Sequence, residues 1–152
     1  MRRAGWRLHQ GARRAILALR DNAAPLADQL SCLADEYSAG GDVAVDFAVT
    51  GSPRPVAPAA SLAAYRAAQE ALTNARKHAP GQPVSVRLEF TPSQITVLAA
   101  NPLPAAAPGG PLAATGSGHG LSGLAERAAL SGGTLTAGPE DGQWRVTMRL
   151  PA

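Results

Sequence analysis

The sequence predicts an α+β domain: a two-layer α/β sandwich with a mixed, mostly antiparallel five-stranded sheet covered on one face by helices. Three observations predict it. Five segments read as strands, each with one apolar face. The helical segments each carry one apolar stripe, which a sheet face would bury. Strands that come as hairpins argue against a parallel, doubly wound sheet.

The elements follow in order. Residues 4–21 read as a short helix with Leu8, Ala12, Ala15 and Leu19 on one side. Residues 25–38 read as a second, with Leu26, Leu30, Leu33 and Tyr37 as its stripe, stopped by Gly40-Gly41. Cys32 falls between Leu30 and Leu33 and reads as a small core residue. In residues 43–49, Val43, Val45, Phe47 and Val49 share a strand face. A Pro-rich turn from Ser52 to Pro58 leads into a long helix that Pro80-Gly81 closes. Residues 84–90, VSVRLEF, alternate without error, and after the turn at Thr91 to Gln94, Ile95 to Ala100 return as a hairpin. Residues 101–118 have no period and no charged residue, the composition of a lid, a binding loop or a disordered segment. A helix over residues 120–131 ends at Gly132-Gly133. Thr134 to Ala137 and Trp144 to Leu150 form a second hairpin around Gly138 to Gly142.

Composition excludes several function classes. With 152 residues and 45% hydrophobic content, the chain can bury one core, and with 4% aromatics that core is built from Ala, Leu and Val. No apolar stretch reaches transmembrane length, and the N-terminal arginines precede no apolar run of a secretory signal. The lone Cys32 excludes an internal disulfide, and there is no zinc-type Cys/His cluster. Arg2, Arg3, Arg7, Arg13, Arg14 and Arg20 all precede the first acidic residue, Asp21. They read as a basic arm or as an exposed helix face. No aromatic or Gly-Arg pattern accompanies them, so no nucleic-acid partner is expected.

Residues 69–79, QEALTNARKHA, carry the chemistry. Glu70, Asn74 and His78 are spaced i, i+4, i+8, and Lys77 joins them. Tyr65, Ala68, Leu72, Ala75 and Ala79 form the apolar side, so the polar stripe is expected opposite the core. A carboxylate, an amide oxygen, an ammonium and an imidazole suit a metal ion held with phosphates. A solvated helix face is the other reading. The second motif is GSGHGLSG, residues 116–123. Gly116, Gly118 and Gly120 open a helix whose N-terminal N–H groups can approach an anion closely. No Lys-Ser or Lys-Thr follows, so this is not a Walker loop. Alone, the motif also reads as a flexible turn.

Taken together, the motifs resemble the ATP-binding catalytic domain of sensor histidine kinases, and within them the actinobacterial subfamily paired with LuxR- or NarL-type response regulators. The resemblance covers roughly residues 25–151: QEALTNARKHA looks like the N box, and GSGHGLSGLAERAALSGG like the second glycine box with its helix. It implies a Bergerat fold, with ATP and Mg²⁺ as ligands. It further implies that Asn74 binds the metal, that Glu70 is a base or orients a water, and that Lys77 and His78 contact phosphates. Gly116, Gly118, His119, Gly120 and Leu121 would close over the triphosphate, and about 102–118 would be the ATP lid. Residues 25–152 would be the catalytic domain, and residues 1–24 the tail of the dimerisation hairpin.

Two departures stand out. The family's Asp-x-Gly-x-Gly box is here Asn101-Pro102-Leu103-Pro104-Ala105, and Asn101 replaces the aspartate that accepts from the adenine amino group. His9 does not head a phosphoacceptor motif, so the chain is expected to be part of a longer kinase and not to autophosphorylate alone. A cytoplasmic domain, without membrane insertion and monomeric or weakly dimeric in isolation, is expected; the full-length protein could be anchored in the inner membrane. The alternatives are an anti-sigma-factor-type serine kinase, a degenerate regulatory domain without ATP, and a nucleic-acid binder using the basic segment.

Overall fold

A computed structural model describes residues 24–41, 43–103 and 118–151. The expected helix over residues 4–21, Gly116 and most of the expected lid lie outside the described residues. The chain forms α1 (Leu26–Ala39), β1 (Ala44–Thr50), α2 (Pro58–His78), β2 (Pro83–Phe90), β3 (Gln94–Pro102), α3 (Gly118–Leu130), β4 (Thr134–Glu140) and β5 (Gln143–Pro151).

The five strands form one sheet in the order β1-β2-β3-β5-β4. β1 pairs parallel with β2, and the other pairings are antiparallel. The expected mixed, mostly antiparallel sheet is therefore present. Parallel neighbours need a crossover, and α2 supplies it between β1 and β2. β3 and β4 both run antiparallel to β5, so they are parallel to each other, with α3 connecting them.

The alternation in β2 translates directly into packing: Val84, Val86, Leu88 and Phe90 are all buried. Along residues 43–49, which include most of β1, the same period gives a weaker result. Val43 is buried and Val45 and Phe47 pack against the core, but Val49 is exposed, because this strand sits at the sheet edge. Cys32 is only half-buried, unlike the expected core residue, with Leu30 and Leu33 taking the buried positions on either side of it.

The second hairpin corrects the expected five-residue turn. Its strands run on to Glu140 and Gln143, leaving the two-residue turn Asp141-Gly142 with φ of 53° and 75°. Positive φ at both central positions twists a hairpin in the sense its strands require, and Asp-Gly adopts it readily. Pro139 is tolerated inside β4 because β4 is an edge strand.

α3 ends in a Schellman arrangement. Gly133 N–H donates to Ala128 O at 2.7 Å, Gly132 N–H donates to Ala129 O at 3.0 Å, and Gly132 has φ of 78°. Gly133 is required for a different reason: a Cβ there would lie 2.1 Å from Arg149 O.

Candidate functional site

The connectivity brings three chain segments to one end of the sheet. α2 feeds the start of β2, so its last turns lie at that end. β3 runs antiparallel to β2, with Ala100 opposite Ser85, so Asn101 lies there too. α3 runs into the start of β4, which lies at the other end of the sheet, so its N-terminus is directed back toward this end. α2 packs on β3 and on α3.

Asn74 is the decisive residue. It is buried, with 6% of its surface exposed, and its amide Nδ2 has no hydrogen-bond partner. The reason lies in the alanines of α2. Ala60, Ala63, Ala67 and Ala71 are buried and continue at three- and four-residue steps into Asn74. The expectation that the polar stripe lies opposite the core is therefore corrected: Asn74 ends a buried stripe. Small side chains let the helix approach the layer beneath it, and they carry the burial as far as the amide. Leaving a buried amide donor unmet costs about 1–3 kcal/mol. A hydrophobic residue would have avoided that cost.

The neighbours are graded in exposure. Glu70 and His78 are half-buried and Lys77 is exposed. Arg76, Lys77 and His78 also occupy the last turn of α2, where cations complement the helix dipole. Asn101 is buried at 8% exposure, and its Nδ2 donates to Pro102 O at 3.1 Å. That bond commits the amide nitrogen and turns Oδ1 into the group that can accept from a ligand. Beyond it, Leu103 N–H donates to Gly142 O at 3.0 Å, fixing the end of β3 to the turn of the neighbouring hairpin. Gly118, His119 and Gly120 form the first turn of α3, and Leu121 is half-buried against the core.

Among the described residues, no three His, Cys, Asp or Glu side chains cluster to hold a metal alone. The donor set suits a hard cation that arrives with phosphate oxygens and takes one amide oxygen from the protein. Mg²⁺ is commonly held in that way. The unmet Nδ2 of Asn74 is a donor and fits a phosphate oxygen of such a group, with Oδ1 as the atom that could meet the cation.

A cavity of about 390 Å³ lies at the opposite end of the sheet, lined by Pro25, Leu26, Arg54, Val56 and Phe90 among others. Its one charged lining group, Arg54, lies over the Phe90 ring at 5.6 Å and donates to Gln94 O at 3.5 Å. No cluster of chemically active groups meets there.

Sequence reasoning missed a contact behind the site. Tyr37, read only as part of an apolar stripe, shares a 2.7 Å hydrogen bond between its Oη and Thr73 Oγ1. Arg76 lies over its ring at 5.0 Å. The available signal was a tyrosine, not an aliphatic residue, in the last turn of α1.

The chain is similar to the sensor histidine kinase LnrJ of Bacillus subtilis (strain 168), with 30% identity over 115 residues. That match takes in 76% of this chain and 27% of LnrJ, so the chain spans about a quarter of that relative's length. No protein-family model matches the chain. Solved structures of histidine kinases share its fold. The nucleotide-free catalytic domain of histidine kinase ThkA superposes with a TM-score of 0.60 at 15% identity, over 83% of this chain and 89% of that one. The histidine kinase domain of the blue-light activated kinase of Erythrobacter litoralis EL346 gives 0.64 at 18%, over 86% and 63%. Full-length ShkA in complex with AMPPNP gives 0.63 at 19%, over 84% and 30%. The fold is that of histidine kinase catalytic domains.

Proposed function

We propose that this chain is the ATP-binding catalytic domain of a two-component sensor histidine kinase. It would donate the γ-phosphoryl of ATP to a histidine on a dimerisation domain. The observation that carries the reading is the buried, unpartnered amide of Asn74, at the sheet end where Asn101 and the start of α3 converge. The likeness to LnrJ and to histidine kinase catalytic domains supports it.

When bound, Mg²⁺ supplies charge neutralisation across the transferring phosphates, which is most of what phosphoryl transfer needs. Asn74 would hold it through Oδ1. Glu70, one turn earlier on the same face, is the base or water-orienting group. Lys77 and His78 meet phosphate oxygens from the last turn of α2. The first-turn N–H groups of α3, with Gly118 and Gly120 keeping the approach open, bind the phosphates at the helix N-terminus. Asn101 Oδ1 accepts from the adenine amino group, its orientation set by the Nδ2 bond to Pro102.

The run GHGLSGLAER, residues 118–127, supports a kinase of the subfamily paired with LuxR- or NarL-type response regulators over an anti-sigma-factor serine kinase. We place the domain in the cytoplasm; among the described residues no helix is long and apolar enough to cross a membrane. A second reading, a regulatory domain that has lost ATP, is favoured by one observation: the chain at the end of β3 reads Asn101-Pro102-Leu103, with no glycine.

Calorimetry separates the two. The chain is expected to bind AMPPNP more tightly with Mg²⁺ than without, and Asn74→Ala is expected to remove the Mg²⁺-dependent part. No binding under either condition would sink the catalytic reading and leave the regulatory one.

A further inference from the structure

We propose that Tyr37 is a positioning residue for the nucleotide site. Its contact with Thr73 and Arg76 would set the rotation of the last turns of α2, and with it the placement of Asn74 and Lys77. The proposal rests on the nucleotide reading above.

The geometry is specific. Thr73 immediately precedes Asn74, and Arg76 immediately precedes Lys77. Tyr37 holds both predecessors at once, with its hydroxyl 2.7 Å from Thr73 Oγ1 and its ring 5.0 Å under the Arg76 guanidinium. A threonine inside a helix often turns its hydroxyl back onto a carbonyl of its own helix. Here the hydroxyl bonds across to α1 instead. Asn74 has no bond on its own Nδ2 to fix it, so its position depends on how the helix backbone is held. A side-by-side contact between helices can slide or rotate; a hydrogen bond and a cation–π contact one turn apart resist both. None of the proposed ligand-binding residues lies on α1, so the effect of Tyr37 on the site runs through this contact.

The test uses the full 152-residue chain and two conservative variants, Tyr37→Phe, which keeps the ring, and Thr73→Val, which keeps the shape. The first readout is the side-chain amide pair of Asn74 in a two-dimensional nitrogen–proton spectrum, identified by its disappearance in Asn74→Ala. Both variants are expected to shift that pair and to leave the Asn101 pair in place. The second readout is AMPPNP affinity, taken at a temperature where every variant is folded. With Mg²⁺, each variant is expected to bind about twofold to twelvefold more weakly, the range set by the net worth of one hydrogen bond. Without Mg²⁺ a smaller loss is expected, through Lys77 alone, and the double variant should be no weaker than either single one.

A lowered melting temperature with an unmoved Asn74 signal and an unchanged Mg²⁺ ratio would make Tyr37 merely structural and overturn the proposal. The two claims fail separately. If Asn74→Ala removes Mg²⁺-dependent binding while Tyr37→Phe moves neither readout, positioning alone fails. If Tyr37→Phe moves the Asn74 signal and no variant alters binding, positioning of Asn74 stands and the nucleotide reading fails.

Discussion

At one end of the sheet, Arg54 covers the Phe90 ring and Gly51 comes so close to Phe90 that a Cβ would sit 2.0 Å from its carbonyl oxygen. At the other end, Asn74 is buried with an amide nitrogen bonded to nothing. The first end is assembled from contacts that complete one another. The second keeps a polar group where an apolar one would be more stable. Both ends belong to the same sheet and the same helix α2, which begins at the first and finishes at the second. On the proposed reading, the first end is shaped by folding and the second by a ligand.

Gly51→Ala attacks the first end and should have the largest effect. Gly51 has φ of 80° and no room for a methyl group. Left-handed strain and overpacking together should cost about 3 kcal/mol or more in urea unfolding. Mg²⁺-dependent nucleotide affinity of the molecules that remain folded should not change. If it falls in parallel, the two ends are not separable.

Asn74→Ala attacks the second end and should reverse the pattern. Mg²⁺-dependent binding is lost, while the melting temperature of the nucleotide-free chain holds or rises, because a donor whose burial costs about 1–3 kcal/mol is removed. A fall in melting temperature comparable to a core truncation would mean that Asn74 is there for the fold.

Asn101→Asp sharpens the comparison by a smaller step. Replacing a neutral acceptor with a charged one should tighten ATP binding about fivefold, the difference between a neutral and a charge-assisted hydrogen bond. Titration calorimetry that shows no tightening would remove Asn101 from the adenine contact.

The smallest effect concerns Tyr65, on the face of α2 toward α1. Burial raises its phenol above the ordinary tyrosine value of 10.0, and Glu36 adds to the rise. The folded pKa lies above the unfolded one, so its contribution to stability is present below pH 10 and fades as pH rises through the folded value. Chemical denaturation from pH 9 to 11 should show a loss that Tyr65→Phe flattens.

The sequence made some parts of this molecule legible and hid others for physical reasons. VSVRLEF could be read residue by residue, because large apolar side chains alternate with polar ones and each lands as expected. The Asp141-Gly142 turn was obscured by turn-forming neighbours, since Gly138 and Pro139 resemble loop although they sit in an edge strand. The burial of Asn74 was hidden because alanine gives a weak hydrophobic signal, and four alanines set the stripe that leads to it. The parallel pairing of β1 with β2 leaves no local trace, as it depends on where α2 returns the chain. Asn74 itself was legible as a ligand candidate from chemistry alone; its unmet amide and the tyrosine behind it were not.

The two crossovers have a consequence for how the molecule is made. β2 with β3, and β4 with β5, are local hairpins that can form early. The pairings β1–β2 and β3–β5 join segments far apart in sequence and wait on the docking of α2 and α3. Those are the helices that carry Asn74 and the glycine-rich start. On that order of assembly the site would be finished last, and a chain stalled with either helix undocked would hold both hairpins without a nucleotide site.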